Sequence, residues 1–174
     1  MTAAASGDSS ISFPVLKLWR MAGRSIELSM QGISMRPLIQ RGDKITIALM
    51  DPARLRIGDL MAFWDGTAVV IHRLIKRRRT ADGQRYCEKG DELASWHWID
   101  GDRALGRVVI VHRAAGQIDL TRWPWTWINP ALGRVQGLMI FFLDLGRPGE
   151  RAPRGTRLFW AVNKATQMIL RMFS

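Results

Sequence analysis

A serine, Ser34, follows Gly32-Ile33 and leads into Met35-Arg36-Pro37, and thirty-eight residues later a histidine, His72, ends the apolar run Val69-Val70-Ile71. A serine hydroxyl is a weak nucleophile at neutral pH and needs a base within hydrogen-bond reach. Imidazole can be that base, because near neutral pH its neutral form can take the serine proton and later return it to a leaving amine. These residue types point to acyl transfer by a serine hydrolase. A third group must hold the imidazole, through a carboxylate or carbonyl bonded to the other ring nitrogen. Asp91, in Glu88-Lys89-Gly90-Asp91, and Asp100, in Ile99-Asp100-Gly101-Asp102, are both eligible, with Asp91 preferred. Gly-x-Ser and Gly-Asp are also ordinary turn patterns, and Asp43 and Asp59, which follow glycines, are read as turn residues.

No metal or cofactor is expected. The three histidines, His72, His97 and His112, show no His-x-x-x-His spacing, and the single cysteine, Cys87, has no partner for a thiolate cluster or a disulfide.

The elements that must position these groups are mostly strands. Ser25–Met30 alternates like a strand entering the Ser34 turn, and further strands are predicted at 44–49, 60–64, 68–76, 84–89 and 105–112, a mostly antiparallel β domain. Period-two alternation along 69–75 puts Val70, His72 and Leu74 on one face and Val69, Ile71, Arg73 and Ile75 on the other. Asp82-Gly83 predicts a hairpin turn between the third and fourth of these later strands. A short amphipathic helix is expected over 13–23, carrying Val15, Leu16, Leu18, Trp19 and Met21. The organisation expected is a disordered tail over 1–12, a β domain over 13–112, and an extension over 113–174 holding a Trp-rich loop and an amphipathic helix. At 174 residues the chain suffices for one sizeable core.

The order of blocks resembles the signal peptidase I superfamily, whose core is shared with self-cleaving repressor proteases. Gly32, Ser34, Met35, Pro37, Gly42 and Asp43 match its Gly-x-Ser-Met-x-Pro stretch and the Gly-Asp that follows. Gly58-Asp59 matches the second Gly-Asp, and Glu88-Lys89-Gly90-Asp91 the third. His72-Arg73 stands where the common bacterial members have a lysine base, and so resembles the endoplasmic-reticulum and archaeal branch, which uses histidine. The resemblance covers about residues 25–112. It implies an antiparallel β fold and a serine endopeptidase cleaving a peptide or leader-type precursor, with Ser34 as nucleophile, His72 as base and Asp91 or Asp100 as orienter. Many relatives carry a hydroxyl residue two positions before the nucleophile as an oxyanion donor; Gly32 holds that place here. The chain also departs from the branch in its second aspartate, displaced to Asp100 or Asp102. These departures keep a second reading open: a weak or inactive member that binds a peptide or a membrane surface.

Charge narrows the partners. Twenty-six Lys and Arg against fifteen Asp and Glu give a net +11, which favours anionic surfaces. No zinc finger, RNA-binding aromatic signature or helix-turn-helix accompanies it, so nucleic acid is not the partner expected. The run Lys76-Arg77-Arg78-Arg79 reads as a solvated hairpin tip. Trp123, Trp125 and Trp127 crowd around Pro124, and Leu138–Leu143 is apolar but far short of the roughly twenty residues that span a bilayer. Residues 156–173 read as a basic amphipathic helix that either packs on the domain or lies on an anionic membrane. Residues 1–10 lack the charged start and apolar core of a signal peptide. A cytoplasmic protein is expected, with peripheral membrane contact as an option.

Overall fold

The structure is a computed structural model and describes residues 3–4, 11–114, 116–146 and 157–173. The expected tail over 1–12 falls largely outside the described residues. The elements are β1 (Ala3–Ala4), α1 (Phe13–Met21), β2 (Ser25–Ser29), β3 (Lys44–Leu49), β4 (Leu60–Trp64), β5 (Val69–Thr80), β6 (Gly83–Lys89), β7 (Trp96–Asp100), β8 (Ala104–Arg113), β9 (Gly116–Asp119), α2 (Trp125–Gly146) and α3 (Arg157–Phe173), with single-turn 3-10 helices at Pro52–Arg54 and Gly101–Arg103. The sheet runs β1-β2-β3-β8-β4-β5-β6-β7, with β9 on β8, and every pairing except β1 with β2 is antiparallel. The chain is thus mostly β, with a short N-terminal helix and a C-terminal helix.

Alternating apolar residues bury both faces of the strands. One core gathers Leu16 of α1 with Ile45, Ile47, Leu60, Ala62, Ile71, Leu105, Val108 and Val111, and takes Met35, Leu38 and Ile39 from the segment that follows Ser34. A second, on the face of β5 that carries His72, gathers Met61, Phe63, Leu74, Tyr86 and Ile99. A third joins Ile75 and Cys87 to Met139 and Ile140 of α2.

The extension differs from its expected form. Trp125 and Trp127 lie in the first turn of a 22-residue helix, α2, rather than in a loop. Trp125 is buried in the first core while Trp123 and Trp127 stay exposed. The helix can come close because Gly133 meets the Gly58 turn: a Cβ added at Gly133 would lie 2.6 Å from the Gly58 Cα. Gly58 itself has φ +97°, a conformation that suits glycine. The β region also continues past 112, through β9.

Candidate active site

Ser34 lies at the start of the turn that follows Gly32-Ile33. Its segment is fixed by its own apolar residues, Met35, Leu38 and Ile39, which enter the core, and by the backbone: the Glu92 N–H donates to the Ser34 carbonyl at 2.9 Å and the Arg36 N–H to that of Ile33 at 3.2 Å. Gly90 permits the close approach of the β6 end, since a Cβ there would stand 3.0 Å from the Ser34 Cβ. Asp43 and Asp59 close turns, accepting from the backbone N–H of Gln40 and Arg56, each at 2.8 Å.

His72 is in the middle of β5, opposite Met61 of β4, with its ring beside Phe63. Its Nε2 lies 3.1 Å from the Ser34 Oγ. Its Nδ1 contacts the Glu88 carboxylate oxygen Oε2. An ionised carboxylate only accepts, so this contact fixes the tautomer: the proton sits on Nδ1, and Nε2 is left to accept from the serine hydroxyl. His72 and Glu88 are both largely buried, with 12% and 4% of their side chains exposed, so the contact is shielded from water. Glu88 also accepts from a second ring, with its Oε1 3.2 Å from the His97 Nδ1.

No family model, curated protein or solved structure matches this chain. The site therefore stands on its geometry, and that geometry redistributes the acidic residues singled out in the sequence.

Asp91 does not face His72. It is fully buried, and the Arg73 guanidinium grips it through Nε–Oδ1 at 2.8 Å and Nη2–Oδ2 at 2.7 Å, with the Gln136 amide donating at 3.1 Å. Burial pushes its carboxyl up, but Arg73, Lys89 and Gln136 outweigh that and hold it below the usual carboxylate range. Asp100 does not face His72 either: it is exposed and pairs with Arg85 across the β6–β7 ladder at 3.0 Å. The carboxylate behind the imidazole is Glu88, which sequence reasoning missed.

The two faces of β5 and β6 sort these groups. His72 and Glu88 serve one face. Arg73 and Lys89, their sequence neighbours, serve the other, where α2 and α3 roof a buried polar layer: Arg73 donates to Asn129 of α2 at 2.9 Å, and Lys89 to Asn163 of α3 at 3.2 Å. Burial pushes the Lys89 ammonium down to about 8, against the pull of Asp91 in the other direction. Lys89 is thus a buried, easily deprotonated amine that donates to the Gly90 carbonyl and to Asn163.

α3 also borders the segment after Ser34. Gln167 donates to the carbonyls of Arg36 at 2.9 Å and Asp91 at 3.3 Å. Between α3 and Asp91-Glu92 opens a groove of about 690 Å³ with an apolar wall of Trp160 and Met168 and a basic rim of Lys164 and Arg171. Among the described residues no group of three or more His, Cys, Asp or Glu has an arrangement that could hold a metal ion.

Proposed function

We propose that this chain is a serine endopeptidase that cleaves a peptide or leader-type precursor through an acyl-enzyme. The observation that carries the reading is the line from the Ser34 hydroxyl through both ring nitrogens of His72 to the Glu88 carboxylate, assembled from three segments far apart in sequence. His72 Nε2 takes the serine proton as Oγ attacks the scissile carbonyl carbon, and Glu88 stabilises the imidazolium. The ring then gives that proton to the departing amine as the C–N bond breaks, leaving an ester on Ser34. Water, deprotonated by the same nitrogen, attacks the ester, and the proton returns to Oγ as the acid leaves. Backbone N–H groups around the Gly32 turn, the Ser34 amide among them, are the donors for the oxyanion. The groove beside Asp91-Glu92, lined by neither Ser34 nor His72, is the place for a stretch of precursor away from the scissile bond.

The ordered blocks resembling the histidine branch of the signal peptidase I superfamily support the same reading. Its test is a pool of candidate precursor peptides offered to wild type, Ser34→Ala and His72→Ala. Cleavage lost in both variants is expected, and unchanged turnover in either would sink the assignment.

A second observation favours peripheral contact with an anionic membrane. Trp127, Val135, Leu138, Phe141 and Phe142 recur at helical spacing along the exposed side of α2. Its far end adjoins the basic run of β5, where the Lys76 ammonium lies 5.7 Å from the Phe141 ring centroid. Apolar stripe and adjacent cations are what an interfacial helix needs. α3, expected to choose between domain and membrane, buries Asn163, Thr166 and Leu170 on the domain and still exposes Trp160, Met168 and Met172. Among the described residues no helix is long and apolar enough to cross a membrane.

A further inference from the structure

Glu88 holds two imidazoles, and only one of them touches Ser34. The three side chains form a row across three neighbouring strands: Glu88 on β6 is the direct cross-strand partner of His97 on β7, and of Leu74 on β5, two positions from His72. Cross-strand partners share a face, so the row follows from register alone. Glu88 is nearly buried, and its two oxygens are divided, Oε2 to His72 and Oε1 to His97.

That division matters for geometry. The terminal torsion of a glutamate is broad, so one contact does not fix the plane of its carboxylate. A second donor on the other oxygen does. His97 is well placed to be dedicated to this: its side chain is 62% exposed, while β7 is anchored by other residues, Ile99 in the second core and Trp98 under the Arg78 guanidinium at 4.4 Å.

We propose that His97 is a positioning residue of the site, its Nδ1–H pinning the Glu88 carboxylate so that the opposite oxygen stays on His72. The inference rests on the serine endopeptidase reading. It makes the last strand of the sheet path part of the machinery, although β7 pairs with β6 and not with the strand that carries His72. Among the described residues, titratable groups that act on or are acted on by Glu88 include His72 from β5, His97 from β7 and, through a smaller electrostatic effect, the neighbouring Lys89 ammonium.

The test compares His97→Ala with His97→Asn. An asparagine amide N–H occupies roughly the place of the imidazole Nδ1–H but carries no charge at any pH. For a peptide that the wild type cleaves, His97→Ala should lower kcat roughly tenfold with little change in KM, because a misplaced proton acceptor costs rate and not binding. The acid limb of its kcat/KM profile should move to lower pH, since a wandering carboxylate supports the imidazolium less. His97→Asn should restore most of the rate. In parallel, the low-field His72 Nδ1–H proton resonance is followed in a Ser34→Ala background, where no turnover is needed: it should broaden or vanish with His97→Ala and persist with His97→Asn. An Ala variant with wild-type kcat, pH profile and resonance would overturn the proposal, as would Ala and Asn variants impaired alike. If the wild type cleaves no peptide, the endopeptidase reading fails, and the resonance still decides whether His97 holds Glu88.

Discussion

Glu88 lies diagonally across the β5–β6 ladder from His72, two positions off its pairing partner Leu74, and its carboxylate reaches the ring at Nδ1. Asp91, three residues on, is turned to the opposite side and locked to Arg73. The two acids therefore separate function from stability.

Substituting each in turn should show it. Glu88→Gln leaves one acceptor oxygen for two imidazoles and removes the charge that supports the imidazolium, so kcat should fall by about 10²–10⁴-fold with a nearly unchanged melting temperature. Asp91→Asn leaves the Arg73 guanidinium buried without a counterion and should cost about 3–5 kcal/mol of unfolding free energy. What remains folded should keep most of its activity. Denaturant titration and peptide hydrolysis on both variants check the split.

Lys89 sets a pH dependence of stability with a definite sign. Its ammonium titrates at 10.5 when unfolded and is pushed down by burial to about 8. Below about 8 both states are protonated and burial of the charge is a standing cost. As pH rises from about 8 to 10.5 the folded chain releases a proton that the unfolded chain keeps, so stability rises, by about 3 kcal/mol in all, and levels off above that. Lys89→Met has no such proton to release. Urea unfolding at pH 7 and pH 10 should show the wild type gaining on the variant; parallel behaviour would contradict the assignment.

Gly32 bears on the oxyanion. A Cβ added there meets nothing within 4 Å, and the residue needs no left-handed backbone. Gly32→Ser should therefore fold normally, and it puts a hydroxyl where the resembling family carries an oxyanion donor. We expect kcat to rise by roughly tenfold, below the full value of about 10²–10³ for a preorganised donor, with KM little changed. Steady-state kinetics on one peptide decides it.

The α2 stripe predicts binding to vesicles. Wild-type protein should co-sediment with phosphatidylglycerol-rich vesicles at low salt, less so at high salt and little with pure phosphatidylcholine. Phe141→Ser with Phe142→Ser should abolish most of the binding without loss of peptide hydrolysis.

Six of the strands, β2 to β6 and β8, the Ser34 turn and the His72 face were legible because alternation and turn residues are local signals, whereas β7 and β9 were not anticipated. Ser34 and His72 lie within hydrogen-bond reach of each other. The acid was not legible, and one residue explains why. A two-residue turn at Ala81-Asp82, which pairs Thr80 with Gly83, would by simple counting bring Asp91 opposite His72. The ladder instead slips between Leu74 and Lys76, pairing Leu74 with Glu88 and Lys76 with Cys87, so Ile75 is extra. A one-residue slip reverses faces, carrying Asp91 away and bringing Glu88 in. Helix α2 was missed for a different reason: the tryptophans around Pro124 read as loop, while the helix, which holds Pro130 in its interior, draws its stability from tertiary packing of Trp125, Leu132, Met139 and Ile140.

Whether Ser34 is a nucleophile activated by His72 can be read from the protein's own mass. The protein is mixed with a peptide p-nitrophenyl ester, quenched in acid and weighed by mass spectrometry, and any acyl adduct is then mapped by proteolysis. One acyl group is expected on the peptide containing Ser34, absent in Ser34→Ala and strongly reduced in His72→Ala. An adduct that survives Ser34→Ala, or acylation equally fast without His72, would refute the pairing of nucleophile and base.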